Sequence, residues 1–154
     1  MNKLIKVSFG STAAIVTSMG LIVGLSSIDS TKASLLTGLL IIAIADNVSD
    51  TFGIHIFQES RAEVKPVKNV IIPNFLARLI ISLSFIFFVV LLPSQLYQYV
   101  AVIWGMFILS ILSFFIAQMK KTSPIKEITF HVLLAFMVIA VSQALAYFIK
   151  ISIR

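Results

Sequence analysis

Residues 33–57 read ASLLTGLLIIAIADNVSDTFGIHIF. The run is long and apolar enough for a transmembrane helix, which needs about 20 mostly apolar residues. Yet it carries two aspartates, Asp46 and Asp50, one helical turn apart. An ionisable group at membrane depth costs about 3 kcal/mol on insertion scales and ordinarily faces a bundle interior or an ion path. The chain has only six acidic residues, so a pair here marks the first place to look for function.

Composition agrees with a membrane protein. Hydrophobic residues make up 59% of the chain and charged residues 12%, and the mean hydropathy is +1.07. A water-soluble domain of 154 residues has no core large enough to hide that much apolar surface. The length suits one membrane domain over residues 1–154 without a separate soluble module. The net charge of +6 comes from loop lysines and arginines, which set orientation and sit near anionic headgroups. No basic stripe with interleaved exposed aromatics is present, so nucleic acid is not an expected partner. The absence of cysteine removes disulfides, thiolate metal sites and thiol catalysis. The opening MNKLIK followed by an apolar run resembles a signal peptide. Its length and its Gly, Ser and Thr content suit a retained, packed helix better.

Five segments have the length of a span: 7–28, 33–57, 71–92, 97–118 and 128–149. The connections 29–32 and 93–96 are so short that their flanking helices must be antiparallel neighbours. The longest connection, 58–70, contains Pro66, which argues against a helix running through it. A cytoplasmic N-terminus places nine basic residues inside (Lys3, Lys6, Arg61, Lys65, Lys68, Arg78, Lys120, Lys121 and Lys126) and three outside (Lys32, Lys150 and Arg154). The positive-inside rule then predicts an all-α, five-helix bundle with its N-terminus in and its C-terminus out. Tyr97, Tyr99 and Trp104 are expected near the outer interface.

In the second helix Asp46, Ser49, Asp50 and Gly53 follow i, i+3, i+4, i+7 spacing and share a face. Oxygen donors on one stripe suit a hard or borderline divalent cation, and the same stripe could relay protons. The competing reading is a carboxylate buried for packing or paired with Arg78. Counted back from Pro93, Arg78 lies at about the depth of the two acids. An unpaired arginine there is costly, so an Arg78–Asp50 ion pair is predicted, leaving Asp46 free. His55 is about 140° around the helix from Asp50 and near the cytoplasmic end, and it reads as an interfacial histidine. His131 reads the same way. In the first helix Gly20 and Gly24 form a small-residue contact face, within the protomer or across a dimer. Met19 offers a soft thioether to a transition metal, against the plainer alternative of packing. No phosphate-binding loop, nucleophile elbow or HExxH motif occurs, so no enzyme is expected.

Phe9–Leu25, FGSTAAIVTSMGLIVGL, and Gly38–Asp50, GLLIIAIADNVSD, resemble the first and second helices of the vacuolar iron transporter family. These are five-helix carriers of ferrous and manganous ions. Asp46 falls on that family's acidic pore position and Ser49 on its serine. The LLP of Leu91–Pro93 and the QALAYFIKI of the fifth helix are compatible with it. Ala13 stands where the family's first helix carries an acid, Ile41 and Ile42 stand where it tends to have Ser and Met, and the short 58–70 loop replaces the glutamate-rich metal-binding insertion of eukaryotic members. The resemblance implies a homodimer and metal/proton exchange, with Asp50 a candidate to compensate for the missing acid.

The expected function is a multi-pass carrier of Fe²⁺ or Mn²⁺, possible proton coupling included, in the plasma or inner membrane if the cell is prokaryotic. The metal is substrate and no resident cofactor is expected. The alternative is a non-transporting paralogue acting as a membrane interaction or accessory protein, and a weaker third reading is a carrier of another solute or of protons alone.

Overall fold

The computed structural model describes residues 3–59 and 68–152. All regular structure among them is helical: α1 (Lys3–Ser27), α2 (Lys32–Ile41), a π-helical turn (Ile42–Asp46), α3 (Asn47–Glu59), α4 (Lys68–Leu91), α5 (Tyr97–Lys120) and α6 (Pro124–Ser152). α2, the π turn and α3 form one apolar span, Lys32–Phe57, so five helices are long and apolar enough to cross a membrane. The chain has the character of a multi-pass integral membrane protein. The helices run up to four residues past the sequence-derived limits, and Pro66 lies outside the described residues.

α1 sits at the centre and packs against α4, α5, α6 and α2. Its small residues explain the position. Ser11, Ala14 and Ser18 are buried with Ile15, Met19, Ile22 and Val23, and small side chains let backbones approach where no hydrophobic drive separates protein from lipid. The facing helix α5 buries Tyr97, Ala101, Gly105, Leu109, Ser113 and Ala117 at every fourth position. A Cβ on Gly105 would lie 2.2 Å from the Met19 sulfur, so the thioether seats directly on the α5 backbone. α6 presents Ser142 to α1, 3.1 Å from where a Gly20 Cβ would stand and 3.7 Å from one on Gly24. The two glycines therefore serve contact within one protomer. Leu, Ile and Phe on the outer faces of α4, α5 and α6 are exposed, as lipid-facing positions are.

The turns are fixed by recognisable chemistry. Asp29 adopts a left-handed conformation, φ 56°. The Asp29 N–H donates to Ser26 O (3.2 Å) and the Ser30 N–H to Leu25 O (3.1 Å), which closes the end of α1. Lys121, φ 54°, does the same for α5. Thr31 accepts from Ser34 N at 3.1 Å and caps α2. Lys32 Nζ donates to the carbonyls of Val90 (2.8 Å) and Leu92 (3.1 Å), groups that the end of α4 leaves unpaired. Lys150 Nζ donates to Asp29 at 2.7 Å. That hydrogen bond, together with the charge of Lys150, holds the Asp29 carboxyl below its ordinary value. The pair is thus complete above ordinary aspartate pKa and is lost as pH falls through the lowered one.

The aromatics at the start of α5 differ in their surroundings. Tyr99 is exposed, but Tyr97 is buried, and the Trp104 indole lies between helices, its Nε1 donating to Ser84 Oγ at 3.0 Å. An indole N–H placed between helices takes an acceptor, and Ser84 supplies one.

Candidate functional site: a carboxylate–guanidinium cluster at mid-span

One face of α4 is polar through the core. Asn74, Arg78 and Ser82 are buried at four-residue intervals, and Phe85 and Val89 continue the stripe in apolar form. Asn74 is held by α1: its Oδ1 accepts from the Gly10 N–H at 3.0 Å. A Cβ on Gly10 would fall 2.4 Å from that same oxygen, so only glycine permits the approach. Pro73 precedes Asn74 inside the helix and leaves a gap in the backbone ladder there.

Arg78 is 2% exposed and reaches across to both aspartates: Nη1 donates to Asp50 and Nη2 to Asp46. The planar fork of a guanidinium offers two divergent donors, which a lysine cannot. Asp46 is therefore not a free carboxylate, as the sequence suggested; the arginine binds both. The carboxylates are less enclosed than their partner, with side chains 39% exposed for Asp46 and 27% for Asp50. Asp46 stands near the middle of the Lys32–Phe57 span, and its partial exposure with that of Asp50 opens the cluster to the outside of the bundle at mid-span. Ser49 and Gly53 are exposed on this side, with no atom within 4 Å of where a Gly53 Cβ would lie.

The π turn ends at Asp46, where the sequence shows only IAIAD. A π turn holds an extra residue, which shifts everything beyond it by about 100° relative to an uninterrupted α-helix. Asn47, the next residue, is wholly buried. Its Nδ2 donates to Phe75 O at 3.0 Å, pinning α3 to α4, whereas its Oδ1 has no hydrogen-bond partner. Asn74 Nδ2 and Ser18 Oγ are also buried without a partner. Buried polar atoms are ordinarily satisfied by protein or ordered water, so these three stand out within the core.

Other residues singled out from the sequence fall elsewhere. Met19 is fully buried in the hydrophobic core against Gly105, and its thioether serves packing. Ala13 lines a groove with Ser8, Thr12, Lys120, His131 and Val138, away from α2 and α3, so its side of α1 does not face the aspartates. His131 Nδ1 lies 2.9 Å from Ser113 Oγ, and that hydroxyl in turn donates to Leu109 O at 2.6 Å. With the serine proton so engaged, the imidazole Nδ1 is the donor, and the histidine is a strut between α5 and α6. His55 lines an apolar groove between α3 and α4 with Phe52, Ile72 and Phe75.

Gly10, Asn47 and Asn74 were not anticipated. Asn74 carried a signal, an amide one turn before a buried arginine in an apolar helix. Gly10 and Asn47 carried none that separates them from ordinary packing residues. No group of three or more His, Cys, Asp or Glu residues at metal-binding separation occurs among the described residues. Neither protein-family models nor the curated proteins give a match to this chain.

Proposed function

We propose that the chain is a multi-pass membrane carrier of cations, with a divalent metal such as Fe²⁺ or Mn²⁺ as substrate and protons as counter-ion. The observation that carries this reading is the Asp46–Arg78–Asp50 cluster, open to the outside of the bundle at mid-span. Two ionised carboxylates and one guanidinium leave one negative charge over, and hydrocarbon does not tolerate such a charge. A proton or a cation removes it.

Charge balance supports a homodimer. One divalent ion on a single cluster leaves an excess of positive charge, whereas two clusters facing each other need one divalent ion to reach neutrality. The small, exposed positions Ala45, Ser49 and Gly53 would let a second copy approach Asp46. The intended orientation is N-terminus in, C-terminus out. The second reading is a membrane accessory protein in which the cluster only clamps α2 and α3 to α4. It draws support from Arg78 already engaging both acids.

The test is Mn²⁺ flux into proteoliposomes. The native chain is expected to carry Mn²⁺, and Asp46→Asn, which keeps size and removes charge, to lower flux at least about tenfold, a change of about 1.4 kcal/mol in barrier. Trp104 fluorescence melts should stay near native for that variant. Flux unchanged by Asp46→Asn would remove its central residue, and a native chain without flux favours the accessory protein. A monomer by light scattering in detergent would exclude the shared site. Orientation is read separately, since the chain has no cysteine. A single cysteine at Thr122 should label only from the cytoplasmic side and one at Ser94 only from outside; the reverse pattern inverts the topology.

A further inference from the structure

Resting on the cation-carrier reading, we infer that Arg78 is a built-in counter-cation that occupies the site when no ion is present, so that the Arg78–Asp46 ion pair and a cation on Asp46 exclude each other. Arg78 is almost fully buried and donates one arm of its fork to each carboxylate. An arriving metal ion meets no free acid. It must take oxygens that the guanidinium already holds.

The two arms are not equivalent. The Asp46 side chain is the more exposed, 39% against 27%, and it stands at the end of the π turn, a local irregularity that often marks functional positions. Asp50 lies within the regular helix α3. Asp46 is therefore the carboxylate that yields to an ion, while Asp50 keeps Arg78 paired and spares the core an isolated guanidinium. In the empty state the guanidinium leaves neither carboxylate bare and reduces the charge to be neutralised from two to one.

Mn²⁺ binding to the full chain in lipid nanodiscs, read from the loss of the free-ion electron paramagnetic resonance signal, tests the inference. Arg78→Gln leaves a shorter, neutral side chain that can still hydrogen-bond, and removes the competing cation. Binding should tighten about 10- to 100-fold, the range expected when a charge-assisted hydrogen bond no longer has to be broken. Equal or weaker binding by Arg78→Gln overturns the counter-cation and leaves the carrier reading standing. No saturable binding by either protein removes both. Should Arg78→Gln fail to fold, the comparison moves to Asp50→Asn against Asp50→Asn with Arg78→Gln. The double variant retains the native excess of one negative charge, on Asp46 alone. It must bind Mn²⁺ more tightly than Asp50→Asn; otherwise Arg78 does not compete.

Discussion

Arg78→Ala should be the most destabilising single change in the chain, by about 3–5 kcal/mol, because removing one partner of a buried ion cluster leaves the others uncompensated. The loss falls on two acids at once, since the guanidinium donates to both Asp46 and Asp50. Thermal unfolding in detergent reads it, with Trp104, lodged between α4 and α5 against Ser84, as the fluorescent reporter. Adding Asp50→Asn to Arg78→Ala should recover part of the loss, and adding Asp46→Asn as well should recover more. Strictly additive losses along that series would show that the three side chains act independently, contrary to the geometry.

The second large effect is steric. Gly10→Ala places a methyl group 2.4 Å from Asn74 Oδ1, 2.8 Å from its Cγ and 2.9 Å from its Nδ2. Asn74 is short and 1% exposed, so it cannot swing aside as a long chain at a surface would. Overpacking and the loss of the Gly10–Asn74 hydrogen bond together should cost about 3 kcal/mol. Asn74→Ala in the Gly10→Ala background makes room for the methyl, and the melting temperature should rise relative to Gly10→Ala alone. A Gly10→Ala protein as stable as native would mean that α1 and α4 separate here at little cost. Because Arg78 lies one turn beyond Asn74, Gly10→Ala should also weaken the charge cluster.

Much of this architecture can be read from residue order, for definite reasons. Span length and hydropathy are one-dimensional quantities, and five spans followed from them. The depth of Arg78 relative to Asp50 followed from counting helical rise in two antiparallel helices joined through 58–70. What escaped was partner number and angle. Counting allots Arg78 one acid, whereas the fork of the guanidinium serves two. The π turn escaped because Ile42–Asp46 has no proline, glycine or other local signature, and its register shift depends on what α2 and α3 pack against. Gly20 and Gly24 announced close helix contact but not the partner, and Ser142 of α6 proved to be it. Met19 could be a ligand or a core residue by type alone; the glycine opposite it at position 105, which lets the thioether sink against α5, decided the matter.

The placement of α1 bears on biogenesis. It is the least apolar of the five spans and the one most enclosed by protein. It precedes in the chain every helix that shelters it. Its hydroxyls and glycines must wait for partners as distant in the chain as Asn74 and Ser142. Chain order thus runs opposite to burial: the most enclosed helix precedes the helices that enclose it. A chain arrested before α6 would leave Gly20 and Gly24 without Ser142 against them. The contacts of α1 are accordingly complete only once α6 has packed against it.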